Sequence, residues 1–319
     1  MKTRDNVLRL LDAADGNFIS GSEIALRLHI SRNAVWKTIA LLKDEGYIIE
    51  SDHISGYRLS LYNTKLFSFQ FERFCKGYKV IFLDSVDSTN TYLKHLAECG
   101  EGENTVVIAR TQTAGKGRLG RNFLSSEGGL YMSLLLRPDM PLNESLQITV
   151  AAASAVCKTL NTLYNVDTKI KWVNDIFKNG KKICGILTEG AVCAESGKLN
   201  YCVLGVGINV SKPKGDFDDS IKDIATTLFD ENKVSSYEYA KIANEFLCNF
   251  KEYYSNIKKR EYIKYYRENF YLKDKTVTFI KDGQTHVARV VALGDNAELI
   301  LSENGKEINL SAGEVSVKV

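Results

Sequence analysis

The sequence lacks the features that mark membrane-spanning and secreted proteins. No apolar run among its 319 residues approaches the ~20 residues that a membrane-spanning helix requires. The first residues, Met1–Asp5, lack the apolar centre of a signal peptide. The seven cysteines are odd in number, scattered and without a Cys-x-x-Cys pair. These absences favour reduced thiols in a cytoplasmic protein and make a zinc site unexpected.

The chain also lacks a large excess of either positive or negative charge. The net charge of +3 is too small to favour nucleic acid over other partners. No low-complexity segment or internal repeat is detectable, and the composition, 44% hydrophobic and 25% charged, is typical of globular proteins. The length predicts two or three domains of ~100–200 residues each.

Residues 1–62 carry the pattern of a winged helix-turn-helix. A short amphipathic helix around residues 7–11 precedes a second helix that begins at the capping box Ser20–Glu23. A third helix runs from Arg32 to about Glu45, with an apolar face at every third or fourth residue. Two short strands at 47–50 and 56–59 then form a hairpin wing.

This first domain offers side chains for DNA but little net charge. The third helix turns polar residues away from its apolar face, which suits a major groove, and the wing adds a cation for a backbone phosphate. Eight cations and eight anions make the domain nearly neutral, so one copy should bind DNA weakly, because phosphate neutralisation supplies most of the affinity. A dimer with two recognition helices would partly compensate, and a winged helix used only for packing or regulation remains the alternative. The candidate DNA contacts are Ser31, Arg32, Asn33, Lys37 and Arg58.

A stretch of glycines and cations, Thr111–Arg121, lies between two apolar runs that predict buried strands at 106–109 and 130–136. It is not a Walker loop, because no Lys-Ser/Thr pair follows. Glycines allow a backbone to approach an anion closely, and cations neutralise its charge. The loop is therefore a candidate anion site, with a solvated surface loop as the competing interpretation. Its members are Gly115, Lys116, Gly117, Arg118, Gly120 and Arg121.

Other polar clusters lie at the ends of predicted elements. Ser88-Thr89-Asn90 follows a predicted strand and begins a helix, where hydroxyls and unpaired N–H groups face a ligand. Asn174 and Asp175 offer the oxygen ligands that Mg²⁺ prefers, ahead of a hairpin turn at Asn179-Gly180. Lys182 begins an apolar strand and suits an anionic ligand. Taken singly, each of these is more often a cap, a turn residue or a surface lysine.

Together these pieces resemble the ordered motifs of biotin protein ligases. With the winged helix in front, the chain resembles the bifunctional type, the biotin operon repressor, over essentially its full length. The matching motifs are Ser88–Asn90, Gln112, Gly115–Gly120, Lys171–Asp175, Lys182–Glu189 and Gly205–Asn209.

The resemblance implies a multidomain α+β fold. Its parts would be a winged helix-turn-helix at 1–62, a class II synthetase-like catalytic domain with a mixed sheet at 63–271, and an SH3-like β-barrel at 272–319. It also implies an activity: biotin and ATP form biotinyl-5′-AMP, and biotin passes to a lysine of a biotin carboxyl carrier protein. Biotinyl-AMP would act as corepressor, promoting a homodimer that binds the operator DNA of biotin genes.

The resemblance assigns a role to each motif residue. Ser88, Thr89, Asn90 and Gln112 would hold the biotin head. Lys116, Gly117 and Arg118 would close over the carboxylate and phosphate, and Lys182 would bridge the two. Asn174 or Asp175 would hold Mg²⁺. The residues expected at ATP are Gly115, Arg121, Phe123 and Asn209, with the last two by the adenine.

Three positions depart from the family pattern. Lys116 stands where Arg is usual, Phe123 where Trp is frequent, and Val173 where Pro is usual. The ammonium of Lys116 is a point charge, whereas the guanidinium of Arg forms two parallel hydrogen bonds, so Lys116 should weaken retention of the adenylate. The alternatives are a ligase whose winged helix no longer binds DNA and a repressor without catalysis. Lipoate ligases share the central fold, but the Gly-Lys-Gly-Arg stretch and the winged helix favour biotin.

Overall fold

The computed structural model describes residues 3–66, 68–193, 195, 197–213, 215–231, 233–281, 283–311 and 315–317. The chain divides into two compact units, one of Met1–Lys76 with Lys233–Ala243 and one of Gly77–Asn232 with Asn244–Val319. The division into three domains, with boundaries at 62 and 271, stays a prediction.

The first unit contains the predicted winged helix-turn-helix. Ser20 and Ser31 begin the second and third helices, since each Oγ accepts a hydrogen bond of 3.1 Å from the backbone N–H three residues later. Val35, Ile39 and Leu42 of the third helix are buried, which confirms the predicted apolar face. The wing's first strand begins at Ile49, two residues later than expected. The elements are α1 Thr3–Ala13, α2 Gly21–Leu28, α3 Arg32–Asp44, β1 Ile49–Asp52, β2 Gly56–Leu59 and α4 Ser68–Phe74.

The second unit is built on a seven-stranded mixed sheet with the order β3-β4-β5-β9-β8-β7-β6. The first pair, β3 and β4, is parallel, and the other pairs are antiparallel. The strands are β3 Lys79–Val86, β4 Thr105–Gln112, β5 Gly129–Leu136, β6 Thr168–Lys171, β7 Asp175–Lys178, β8 Lys181–Val192 and β9 Leu199–Asn209.

Four helices accompany these strands. The alanine-rich helix Leu146–Tyr164 is buried over most of its length. Asn165 ends this helix in the left-handed conformation, with φ 49°. The helices are α5 Thr89–Glu98, α6 Leu146–Tyr164, α7 Ser236–Ser255, which begins in the first unit, and α8 Tyr262–Glu268.

The C-terminal segment forms a five-stranded antiparallel sheet with the order β13-β12-β11-β10-β14. The turn before β12 is hydrogen-bonded to the central part of the same unit: Trp172 Nε1 donates to the Ala297 carbonyl at 2.8 Å, and Gln147 Nε2 donates to that of Asn296 at 3.0 Å. The strands are β10 Thr276–Lys281, β11 Gln284–Leu293, β12 Leu299–Glu303, β13 Lys306–Leu310 and β14 Val315–Val317.

Among the described residues, no helix has the length and apolarity to cross a bilayer.

Candidate ligand site

Two neighbouring cavities lie beside the glycine-and-cation loop. The smaller has a volume of about 460 Å³ and the larger about 1510 Å³. The smaller one brings together all the residues predicted to bind biotin, which are Ser88, Thr89, Asn90, Gln112, Lys116, Gly117, Arg118 and Lys182. Five residues line both cavities: Gly117, Arg118, Phe123, Asn174 and Lys182. A ligand in each cavity would therefore meet the other at these shared residues.

The residues predicted to bind the nucleotide are not all brought together. Arg121, Phe123 and Asn209 line the larger cavity, whereas Gly115 lines neither. Asn209 Nδ2 donates to the Thr226 carbonyl at 3.1 Å, so its amide holds the wall of the cavity in this structure.

The loop itself folds back as a narrow hairpin. The Gly117 N–H donates to the Arg121 carbonyl at 2.7 Å, and the Phe123 N–H donates to that of Gly115 at 2.8 Å. A Cβ at Gly115 would lie 2.3 Å from the Phe123 carbonyl oxygen, so this position requires glycine. The tip is one turn of 3-10 helix with Leu119 at φ 55°. Gly115 therefore shapes the loop, and its predicted contact with ATP stays a prediction.

The wall of the smaller cavity is a hydrogen-bonded polar network. Gln112 Oε1 accepts from the Thr89 N–H at 2.8 Å and lies 3.1 Å from its hydroxyl. The Gln112 Nε2 donates to the Ser125 hydroxyl at 2.8 Å. The Ser133 hydroxyl lies 2.7 Å from Thr89 Oγ1 and 2.6 Å from Asn90 Oδ1. Side chains from β4, β5 and the start of α5 are thereby fixed before a ligand arrives.

Asn90 is held at both ends of its amide. Its Oδ1 accepts from Ser133, and its Nδ2 donates to Glu189 Oε2 at 2.8 Å and lies 3.3 Å from the Leu187 carbonyl. Glu189 also pairs with Lys94 Nζ at 2.9 Å. Burial tends to raise the pKa of Glu189, but the hydrogen bonds from Lys94 and Asn90 outweigh it, so that this pKa lies below its usual value.

Sequence reasoning gave no role to Ser133, Lys94 or Ser125, and quoted Glu189 only as part of a motif. A signal for Ser133 is present, because it is the one small polar residue in the apolar run Leu130–Leu136 and is fully buried. No comparable pattern marks Lys94, which is one of several lysines on helix surfaces.

The glycines of β8 and β9 make room for protein side chains. A Cβ at Gly205 would lie 2.3 Å from Asn90 Oδ1, and one at Gly207 would lie 2.6 Å from the Phe123 ring. The space beside these two glycines is taken by Asn90 and Phe123, because both side chains pack directly on the glycine backbone.

Cations and polar oxygens meet where the two cavities join. Lys182 Nζ lies 2.7 Å from Asp175 Oδ1 and 5.7 Å from the centre of the Phe123 ring. Arg118 Nη1 donates to Asn174 Oδ1 at 3.2 Å, and Asn174 Nδ2 donates to the Ile186 carbonyl at 2.7 Å. The two cations therefore stand ready for anions, with side-chain oxygens as their present partners.

The same oxygens are the candidate magnesium ligands. Carboxylate and amide oxygens fit Mg²⁺ chemically, but Asp175 and Asn174 each face a cation here. Within the described ranges, no cluster of three or more His, Cys, Asp or Glu side chains is arranged to hold a metal ion. Metal binding at this pair would therefore require its contacts with Lys182 and Arg118 to be exchanged.

The predicted DNA contacts are only partly available. Arg32, Asn33 and Lys37 are exposed on α3, whereas the Ser31 hydroxyl caps that helix. Arg58 pairs with Glu50 at 2.6 Å and lies over the Phe18 ring at 4.6 Å, so its charge is already offset. Its predicted phosphate contact would require that ion pair to open.

Comparison with known proteins identifies the family. The profile of the Biotin/lipoate A/B protein ligase family matches residues 82–209, and that of an HTH domain matches residues 3–58. The bifunctional ligase/repressor BirA of Bacillus spizizenii is 40% identical over 255 residues, which is 78% of this chain and 78% of that protein. This chain belongs to the biotin protein ligase family. The predicted resemblance is confirmed.

Two further relatives agree with this membership. The bifunctional ligase/repressor BirA of Bacillus subtilis is 42% identical over 230 residues, 70% of each chain. The biotin protein ligase of Aquifex aeolicus, solved in complex with biotin and ATP, superposes with a TM-score of 0.63 at 27% identity and covers 75% of this chain and 98% of that one.

Proposed function

We propose that this chain is an ATP-dependent biotin protein ligase that also represses biotin genes. As a ligase it forms biotinyl-5′-AMP and transfers biotin to a lysine of a biotin carboxyl carrier protein. The observation that carries the proposal is the pair of cavities joined at Lys182 and Arg118. Biotin occupies the smaller cavity and ATP the larger, so that the biotin carboxylate meets the α-phosphate at the junction.

The chemistry explains why cations stand at that junction. A carboxylate is a poor electrophile, and a mixed anhydride with AMP makes it open to attack by an amine. Forming the anhydride brings a carboxylate against a polyanionic triphosphate, and fixed cations offset the repulsion. Lys182 leaves Asp175 to bridge the carboxylate and α-phosphate, and Arg118 anchors the loop over both.

The polar wall of the smaller cavity orients the biotin head. Ser88 and Thr89 at the start of α5 and Gln112 at the end of β4 line this wall and offer hydrogen bonds to the ligand. Because Asn90 is bonded at both ends of its amide, it supports this arrangement from behind.

Asn174 and Asp175 hold Mg²⁺ in this proposal. Mg²⁺ held there would supply neutralisation of phosphate charge and orientation of the leaving pyrophosphate. The Asn174 and Asp175 oxygens become available to the ion when Arg118 and Lys182 leave them and turn to the ligands.

The loop acts as a lid. Its hairpin closes over the adenylate and excludes water that would hydrolyse the anhydride. Lys116 supplies a point charge where a guanidinium would offer two parallel hydrogen bonds, so its hold on the adenylate is weaker.

The repressor activity resides in residues 1–62. Their third helix enters the major groove of operator DNA, and a homodimer promoted by biotinyl-AMP presents two such helices. Residues 63–271 catalyse, and residues 272–319 help to position ATP or the acceptor.

Biotin-dependent exchange of radioactive pyrophosphate into ATP tests the ligase proposal, followed by transfer of biotin to a purified carboxyl carrier domain. We expect both, with Mg²⁺ present. Exchange that does not depend on biotin, or exchange that depends equally on lipoate, would reject the assignment.

A gel-shift assay tests the repressor. The probe is the promoter region of the biotin synthesis genes, with and without biotin plus ATP. Retardation that requires both ligands supports the proposal, and its absence, or retardation without ligand, contradicts it.

A further inference from the structure

Trp36, on α3, is one of several large apolar side chains that are exposed on the first unit. Trp36 is 61% exposed on α3, whereas the other tryptophan, Trp172, is 4% exposed and donates to a backbone carbonyl. Trp36 lies one helical turn from Arg32 and Asn33. The neighbouring face of the helix, with Val35, Ile39 and Leu42, is buried. Trp36 therefore stands among the predicted DNA contacts, outside the core.

The charges of this unit leave little for phosphate neutralisation. In the described ranges, Arg32 and Lys37 are the α3 cations for which neither an ion pair nor a hydrogen bond is found, and Lys43 donates to Ser51 at 2.8 Å. Neutralising about two phosphates per copy gives a salt dependence of roughly −1.8 in log K against log salt. The unit's other arginines are largely paired with carboxylates: Arg4 with Glu45 at 2.8 Å, Arg9 with Glu72 at 2.8 Å, Arg27 with Glu23 at 2.5 Å and Arg58 with Glu50 at 2.6 Å.

Sequence-specific binding by such a surface needs a contribution that is not phosphate charge. The major groove offers one apolar group, the C5-methyl of thymine, which pairs with apolar side chains. In a major groove this methyl group lies between two phosphate backbones. The indole of Trp36 suits the methyl group, and Arg32 and Lys37 on either side of it suit the phosphates.

We propose that Trp36 reads a thymine methyl group in each half-site of the operator. This inference rests on the repressor part of the proposed function. It assigns base recognition at that position to an apolar contact, and it assigns register on the duplex to Arg32 and Lys37.

The test begins with the full-length protein, biotin and ATP, and a pool of duplexes of randomised sequence from which the tightest-bound duplex is selected. Each thymine of that duplex is then replaced in turn by deoxyuridine, which removes only the methyl group. We expect one thymine per half-site at which the loss weakens binding roughly 4-fold, the equivalent of one buried methyl group.

The variant Trp36→Ala should bind the selected duplex more weakly and should no longer distinguish thymine from deoxyuridine at that position. Leu41→Ala is the matched control, because Leu41 is also exposed on α3, at 58%, but lies towards the other edge of the exposed face. It should retain the full methyl discrimination. Trp36→Phe should retain part of it, and circular dichroism and thermal unfolding like those of the wild-type protein show that all three variants are folded.

Each outcome has one meaning. If the wild-type protein enriches no duplex, the repressor part of the proposed function fails. If a duplex is enriched but no methyl group matters, or if the methyl effect persists in Trp36→Ala, Trp36 is not the reader.

Discussion

Glu189 shows how single residues set up the ligand cavity. It lies at the back of the polar wall, where it accepts from Asn90 and pairs with Lys94. Two donors keep its carboxylate charged although the side chain is half-buried, and the pKa is lowered as a result. The residue acts through Asn90, which in turn holds Ser133 and the start of α5.

The first prediction concerns the charge of Glu189. Because its pKa is lowered on folding, the carboxylate adds stability above the unfolded pKa near 4.5, and this is lost as the pH falls through the lower folded pKa. The melting temperature of Glu189→Gln should lie below that of the wild-type protein by a constant margin between about pH 8 and about pH 5, and the margin should shrink in more acid solution.

Thermal unfolding across this pH range measures the effect, with Glu252→Gln as control. Glu252 pairs with Lys158 on the surface at 61% exposure and should give little difference at any pH. A margin for Glu189→Gln that widens on acidification would contradict the account.

All the residues predicted from the sequence to bind biotin line the smaller cavity, but the sequence did not reveal the residues that hold them in place. Ser88–Asn90 and Lys182 stand in local patterns of caps and strands, which a sequence reveals. Ser133 meets Asn90 because β5 pairs with β9 in the register that sets Ser133 opposite Gly205. A register between strands about 70 residues apart cannot be read from either strand alone.

The glycine-and-cation loop is the element on which the proposed activity depends most. Its hairpin is held by its own backbone hydrogen bonds, and Arg118 is its contact with Asn174 across the site. In the proposed function Arg118 turns from Asn174 to the ligands and anchors the loop over them, so removal of its side chain should leave the lid open.

Arg118→Gly should therefore release biotinyl adenylate into solution. We expect biotin to appear on lysines of a bystander protein, such as serum albumin, at levels well above those given by the wild-type enzyme. Blotting for biotin measures this. Bystander labelling no higher than that of the wild-type enzyme would show that Arg118 does not retain the adenylate.

Gly205 packs against Asn90, so a larger residue at this position should disturb the ligand cavity. Gly205→Ala places a Cβ 2.3 Å from Asn90 Oδ1, so Asn90 must move and the polar wall with it. The KM for biotin should rise about tenfold or more, since a displaced buried hydrogen-bond network costs about 1–3 kcal/mol.

Gly102→Ala is the matched control, because no atom lies within 4 Å of its added Cβ. It should leave the KM for biotin unchanged. Equal values for the two variants would show that the polar wall tolerates displacement of Asn90.

Most helices and strands were predictable because their signals are local. Serine caps, an Asn-Gly turn and apolar periodicity placed α2, α3 and the β7–β8 hairpin within a few residues. The ends of β8 were less predictable: the pattern gives 182–189, and the structure extends to Lys181–Val192. Pairing with β9 sets those ends, and partners outside a segment are not encoded in its own periodicity.

The arrangement of the whole chain was predictable mainly through the family resemblance. The mixed sheet places β5 beside β9 and β3 beside β4, and no local pattern specifies this order. The order matters for the site, because it brings the ends of β4 and β9 and the start of α5 to one cavity.

At this scale we predict that ligand controls the oligomeric state. Sedimentation velocity should detect monomer in the unliganded protein and dimer in the presence of biotin and ATP. Lys182→Ala, which forms the adenylate about 10²–10³-fold more slowly or worse in this account, should remain monomeric when examined soon after the same additions. A dimer of equal abundance with and without ligands would separate dimerisation from adenylate binding.

The central claim is that Lys182 stabilises the developing charge where the two cavities meet. Biotin-dependent release of pyrophosphate by Lys182→Ala measures it most directly. We predict a loss of about 10²–10³-fold or more relative to the wild-type enzyme, as expected when a preorganised electrostatic contact is removed. Lys181 is the matched control, because its ammonium donates to the Lys222 carbonyl at 3.1 Å. Lys181→Ala should release pyrophosphate at nearly the wild-type rate. Near-normal release by Lys182→Ala would contradict the account.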